Sequence, residues 1–311
     1  MKKYLSGAGS RYRTLPVLLL IAALALLSAG QVAAQTTSFS TLERIKERGY
    51  ITLGHRESSV PFSYYDEQGQ VVGYSHELSL HIVDAIRRHL NEPLLVLRLT
   101  PVTSENRIRM IRAGDIDLEC GSTTHNSFRA RHAAFSNTIF IIGTRMLTRR
   151  DSGIHDFADL AGRTVVTTAG TTSERLLRQM NDLRQKGMKL TTQRDHRESF
   201  LTLERGDADA FMLDDALLYG ELAKAESPDD WIVTGTPQSF EAYGCMMRRG
   251  DIAFKRLVDA TLAQLMRSGE AERIYRRWFM NPLPDSELNL NFPMSETMRR
   301  LFRNPNDHPF Q

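Results

Sequence analysis

The sequence predicts an α/β protein built as two similar units, and three observations predict it. Strand-like and helix-like apolar patterns alternate along the chain, which implies a mostly parallel sheet with crossover helices. The alternation restarts near Asp151. Polar clusters recur where each expected strand gives way to a helix, the edge at which open α/β sheets bind ligands. With 311 residues, 41% of them hydrophobic, the chain is long enough for two domains of ordinary size.

In chain order, residues 1–34 stand apart. Lys2, Lys3, Arg11 and Arg13 precede the apolar run Leu15 to Leu27, and Val32-Ala33-Ala34 offers a small-residue cleavage site. This is the layout of an export signal removed after about Ala34; the apolar run is shorter than the roughly 20 residues that span a bilayer. No cysteine opens the mature chain, which argues against a lipid anchor. The formal charge of +3 includes the four basic residues of this leader and no acid there, leaving the mature chain near −1. Nucleic acid as a partner loses its main support with that charge.

The mature chain opens with a helix from about Thr37 to Gly49 and a strand from Tyr50 to Leu53. Leu78, Ile82, Val83, Ile86 and Leu90 recur at helical spacing, with Ser75 as the expected cap. A strand over Leu94 to Leu97, a short helix from Arg107 to Ala113, a strand over Ile116 to Glu119 and a longer β-rich run from Thr138 to Leu147 follow. The second unit reads as strand Thr164 to Thr168, a helix opened by Gly170 to Glu174, strand Met188 to Leu190, helix Phe200 to Glu204, strand Ala210 to Leu213 and helix Asp214 to Lys224. After Trp231 to Val233, a strand from Ala242 to Met247 leads into a long helix from Asp251 to Arg267. Past Phe279, Pro282, Pro284 and Pro305 punctuate what reads as a tail wrapping the surface.

Two cysteines, Cys120 and Cys245, are too few for a metal site or a disulfide scaffold. Export places them in an oxidising compartment, so one disulfide joining them is expected, with two buried thiols as the alternative. A bond between them would bring the C-terminal segment back onto the first unit.

The mature chain contains no H-E-x-x-H, no Walker A loop, no G-x-S-x-G elbow and no G-x-G-x-x-G after a strand, so no motif supports an enzyme. Polar residues cluster instead at strand ends: Arg56 to Ser59, Thr103 to Arg107, Gly121 to Thr124 with Arg129 beyond, Gly170 to Ser173, Asp195-His196 and Asp214-Asp215. Taken singly, each has an ordinary explanation, because Ser, Thr and Asp are favoured helix caps. Taken jointly, they would line one edge of both units with hydroxyls, three arginines, a histidine and an aspartate.

Several stretches carry a resemblance. Gly114-Asp115-Ile116-Asp117, Thr124 to Arg129 with Ala134-Phe135-Ser136, the Asp156-Leu160-Gly162 stretch, Gly170 to Ser173, Gly206 to Ala210 with Asp214, and the late Gly269-Glu270 to Trp278-Phe279 helix are similar to the periplasmic amino-acid-binding proteins of ABC importers, solute-binding protein family 3. Gly54 to Tyr64 and Glu119 to Thr124 resemble the glutamate/aspartate branch of that family, and the likeness covers essentially the whole mature chain.

The resemblance implies a two-lobed periplasmic binding protein fold of type II, with a ligand cleft between lobes joined by two crossing strands. Its expected boundaries are 35–145 for the first part of lobe 1, 146–240 for lobe 2, and 241–311 for the return to lobe 1 and the tail. Such proteins are a standard example of hinge closure around a ligand. It further implies a monomer that captures L-glutamate and L-aspartate in the periplasm and delivers them to an ABC transporter permease, with no cofactor, metal or catalytic residue. Residue by residue, Arg129 would clamp the α-carboxylate with Thr124 and Thr172, Asp214 would meet the α-ammonium with Ser122, and Arg56, Ser104, Arg107 and His196 would hold the side-chain carboxylate.

The chemistry agrees with those roles. A planar guanidinium grips a carboxylate through two parallel bonds, which lysine cannot do. One arginine serves any amino acid; two more beside a histidine call for a second anion. Arg56, Arg107 and Arg129 against Asp214 leave excess positive charge, which glutamine would not satisfy. Asp214 is expected to stay ionised beside these arginines rather than act as a general base, so a dehydratase-like enzyme on the same fold is the lesser reading. A fused sensor would need a transmembrane helix after the domain, and none follows in this sequence.

Overall fold

The computed structural model describes residues 40–184, 186–284, 287 and 289–309. The expected export signal and its cleavage site lie outside the described residues. Among the described residues, no helix is long and apolar enough to cross a membrane, and no group of His, Cys, Asp and Glu could hold a metal ion.

The elements run α1 (Thr41–Arg48), β1 (Tyr50–His55), β2 (Ser58–Ser59), β3 (Ser63–Tyr65), β4 (Val71–Val72), α2 (Tyr74–Leu90), β5 (Val96–Pro101), α3 (Arg107–Ala113), β6 (Leu118–Glu119), α4 (Ser127–Ala130), β7 (Ala134–Phe135) and β8 (Phe140–Arg149). They continue through β9 (Thr164–Thr168), α5 (Thr172–Arg184), β10 (Lys189–Gln193), α6 (His196–Glu204), β11 (Ala210–Asp214), α7 (Asp215–Leu222), β12 (Trp231–Thr234), β13 (Phe240–Tyr243), β14 (Met246–Met247), α8 (Ile252–Arg267), α9 (Glu270–Phe279) and α10 (Glu296–Arg303).

One sheet has the order β5-β1-β6-β14-β7 and the other β10-β9-β11-β8-β12, with β13 paired to β8. Strands β1, β5 and β6 are mutually parallel, as are β9, β10 and β11, because each is followed by a crossover helix. The sheets are mixed rather than mostly parallel: β8 runs antiparallel to β11, β12 and β13, and β14 antiparallel to β6 and β7. The two connections between the sheets therefore lie side by side, β8 leaving after β7 and β13 returning to β14.

Local signals account for the boundaries. Ser40 and Glu43 close a capping box on α1, Glu43 N–H donating to Ser40 Oγ at 3.2 Å and Ser40 N–H to Glu43 Oε2 at 2.8 Å. The cap of α2 is Gly73, not Ser75, which lies inside the helix. A Cβ on Gly73 would stand 2.4 Å from the Phe62 carbonyl oxygen, so the close approach of the preceding loop requires glycine. The expected strand from Ala242 to Met247 divides around Gly244-Cys245 into β13 and β14, which serve different sheets. The presumed tail contains α10, whose Met298, Leu301 and Phe302 are buried at helical spacing.

The crossing strands rest on an aromatic cluster. Phe62 meets Phe140 with ring centroids 4.8 Å apart and Tyr243 at 5.2 Å, both edge-on, and Phe140 stacks on Phe279 at 4.8 Å. Cys120 and Cys245 form a disulfide with Cα atoms 4.3 Å apart, joining segments 125 residues apart beside the β6–β14 pair.

Candidate functional site

Every residue singled out in the sequence lies at or just beyond the carboxyl end of a strand or in the helix start that follows. Arg56 follows β1, Ser104 and Arg107 follow β5, Ser122 and Thr124 follow β6, Thr172 begins α5 after β9, His196 begins α6 after β10, and Asp214 ends β11. Arg129 comes from α4, whose cap Asn126 accepts from its N–H at 2.9 Å. The two parallel strand sets thus point these residues at one another.

Contacts across the cleft hold the two sheets' loops together. Thr124 and Thr172 hydroxyls are 3.4 Å apart. Arg129 Nη1 donates to the Thr124 carbonyl at 3.1 Å and its Nη2 to the Gly170 carbonyl at 3.2 Å. Arg194 pairs with Glu57 at 2.7 Å. Beside the first carboxyl-terminal edge, Arg56 Nη1 donates to Ser122 Oγ at 3.5 Å, and Arg107 Nη1 donates to the Ser122 carbonyl at 3.2 Å and to Thr123 Oγ1.

The three arginines are 1%, 1% and 6% exposed at Arg56, Arg107 and Arg129, and none of them pairs directly with a carboxylate among the described residues. Burial lowers all three: Arg56 to about 10, with the Arg107 charge adding to it, and Arg129 to about 9, while Arg107 moves the same way. All remain cationic at neutral pH. Arg56 Nε, Arg107 Nε, Ser104 Oγ and His196 Nε2 are buried without a hydrogen-bond partner. Unpaired buried cations and donors, here the two guanidiniums and the Ser104 hydroxyl, cost several kcal/mol each. An anion placed among them would remove much of that cost.

His196 is 1% exposed, and burial, with the Arg56 and Arg107 charges, holds its pKa well below the ordinary histidine value. Its tautomer follows from a chain of hydroxyls. Ser199 Oγ–H donates to the Asp195 carbonyl at 2.9 Å, so in the 2.9 Å Thr168–Ser199 contact Thr168 is the donor. Thr168 Oγ1, 2.9 Å from His196 Nδ1, then accepts from Nδ1–H. Nε2 is left bare, as an acceptor.

Asp214 departs from expectation. Its pKa is raised to about 7, first by burial and then by the Glu241 charge. No arginine pairs with it; Thr144 Oγ1 at 2.9 Å and Ser173 Oγ at 3.3 Å donate to Oδ1, and the Tyr243 hydroxyl donates to Oδ2. Ser122, assigned to the ammonium beside Asp214, bonds instead with Ser59 at 3.2 Å and with Arg56. Ser104 is buried, and its hydroxyl bonds nothing among the described residues.

Sequence reasoning missed Thr144, Ser173 and Tyr243 as partners of Asp214, and it missed two acids. Glu119 and Glu241 are 0% and 7% exposed, and their charges act on Arg56, Arg107 and Arg129. The balance of three arginines against one aspartate is therefore corrected: Glu119 offsets one charge of the Arg56–Arg107 pair, leaving one net positive charge there. An acid embedded in an apolar strand was the available signal, since such residues are almost never buried without a partner.

Comparison with known proteins places the chain in a family. The family model for bacterial extracellular solute-binding proteins, family 3, matches residues 51–281. An L-glutamate/L-aspartate-binding protein of Pseudomonas aeruginosa is 54% identical over 284 residues, 91% of this chain and 93% of its own. A glutamate/aspartate import solute-binding protein of Escherichia coli is 53% identical over 284 residues, 90% and 94% of the two chains. Among solved structures, a mutant of ArgBP from T. maritima superposes with a TM-score of 0.69 at 28% identity, covering 77% of this chain and 99% of that one.

Proposed function

We propose, from the premise that this chain belongs to the bacterial extracellular solute-binding proteins of family 3, that it captures L-glutamate and L-aspartate by closing its two lobes and hands them to the permease of an ABC importer. It is a binding protein and not an enzyme, as its glutamate/aspartate-binding relatives are. The observation that carries the reading is the set of three buried arginines at one cleft that, among the described residues, pair directly with no carboxylate.

In this reading Arg129, Thr124 and Thr172 receive the α-carboxylate and Asp214 the α-ammonium. Arg56, Ser104, Arg107, Ser122 and His196 surround the side-chain carboxylate. The lobes follow residues 35–145 with 241–311, and 146–240. The protein acts as a periplasmic monomer after removal of residues 1–34.

A ligand of about ten heavy atoms, at up to about 1.5 kcal/mol each, can reach micromolar affinity. The test is thermal unfolding of the mature protein after its ligand is removed by unfolding and refolding. L-glutamate and L-aspartate should each raise the midpoint with concentration, by mass action on the folded state. L-glutamine should not, and a rise with L-glutamine alone would overturn the assignment.

A further inference from the structure

We propose that Glu119 sets the charge at the side-chain end of the cleft, so that the site accepts a ligand side-chain group carrying one negative charge and rejects one carrying two. The proposal rests on the reading of the cleft given above and deepens it.

Glu119 ends β6, opposite Gly54 on one side and Met246 on the other. It is 0% exposed. Its Oε2 accepts from Thr123 Oγ1 at 2.8 Å, and that hydroxyl accepts from Arg107 Nη1. Its Oε1 has no hydrogen-bond partner among the described residues. A Cβ on Gly121 would lie 2.6 Å from that oxygen and 3.0 Å from Arg56 Cγ, so the carboxylate and the Arg56 side chain pack against the same glycine. Glu119 is therefore linked to Arg107 through one hydroxyl and packs against the same glycine as Arg56, while among the described residues it forms an ion pair with neither.

Two guanidiniums and one carboxylate leave one positive charge at a site sealed from solvent. The Glu119 charge favours both cations, raising the pKa of Arg56 and Arg107 against their burial. The other groups facing the pair are His196, held neutral by burial, Arg129 and Asp214, whose opposite charges both interact with Arg107, the Tyr243 hydroxyl, which acts on both arginines, and Asp195, whose charge also favours Arg56 but whose side chain is partly exposed and caps α6. A carboxylate brings this site to neutrality. A dianion would leave an excess negative charge in a buried place, which the low local dielectric penalises.

Glu119→Gln separates charge from packing, because the amide keeps the shape and its oxygen can still accept from Thr123. Titration calorimetry would compare the mature protein and this variant with L-glutamate and with its phosphonate analogue, L-2-amino-4-phosphonobutanoate. At about pH 8.5 the phosphonate is dianionic, and at about pH 5 it carries mainly one charge. The variant should raise the affinity of phosphonate relative to glutamate by at least about tenfold at the higher pH and by under about threefold at the lower. An unchanged ratio at the higher pH would overturn the proposal and leave Glu119 as a support for Thr123 alone. If the variant does not fold, the wild type still decides: its phosphonate-to-glutamate ratio must rise as pH falls, and a flat ratio overturns the proposal. Failure of the wild type to bind glutamate at all would instead overturn the reading of the cleft.

Discussion

Arg129 reaches across the cleft to the carbonyl of Gly170 at 3.2 Å, so the guanidinium assigned to a ligand's α-carboxylate also ties the two lobes together. Gly170 has φ of +74°, and a Cβ there would stand 2.7 Å from the Glu105 backbone nitrogen. A Gly170→Ala change should therefore obstruct closure. We expect glutamate affinity to fall more than about tenfold, with about 1 to 2 kcal/mol lost in unliganded stability from the left-handed backbone. Unchanged affinity by titration calorimetry would show that closure does not need this approach.

Arg56→Ala should weaken dicarboxylate binding by about 3 kcal/mol or more, over a hundredfold, because the ligand's side-chain anion loses a buried partner. Folding should survive, since among the described residues Arg56 pairs directly with no carboxylate and its removal also removes a desolvated charge. Circular dichroism with calorimetry checks both halves, and retained affinity would remove Arg56 from the site.

Binding should depend on pH through Asp214. The α-ammonium needs the carboxylate ionised, and the pKa of about 7 leaves it largely protonated below neutrality. Affinity should fall by up to about tenfold per pH unit below about 7, with proton release on binding. The sign for stability is opposite: the folded pKa lies above the unfolded carboxylate value, so this group's contribution is full below about pH 4 and is lost as pH rises through about 7. In Asp214→Asn both pH dependences from this group should disappear. A pH-independent wild-type affinity between about pH 5 and 7 would contradict the raised pKa.

His196 should be neutral and protonated on Nδ1 in the free protein, as the Thr168–Ser199–Asp195 chain dictates. Nitrogen-15 chemical shifts of the ring should report the neutral Nδ1–H form in the free protein. A neutral Nε2–H form would show that the hydroxyl chain runs the other way.

Much of the fold was legible because parallel βα units print strong local signals. The Leu78 to Ile86 stripe of α2 and the Asp251-capped α8 both stand where the period placed them. Short elements were not legible. The two-residue strands β2, β4 and β7 carry no period, and α10 was masked by prolines although Met298, Leu301 and Phe302 kept helical spacing. In the site, the arginines and hydroxyls were visible as clusters at strand ends. The Asp214–Tyr243 bond was not, because it joins residues of β11 and β13, which are both paired to β8, a relation that no local pattern encodes. Glu119 was overlooked for a different reason: it stood in the expected strand but outside the polar clusters at strand ends.

The central claim is that the unpaired arginines await the carboxylates of an acidic amino acid. Isothermal titration of the mature, ligand-stripped protein with L-glutamate, L-aspartate, L-glutamine and L-arginine tests it most directly. The account predicts tight one-to-one binding of the two acids alone. Binding of glutamine or arginine in their place would contradict it.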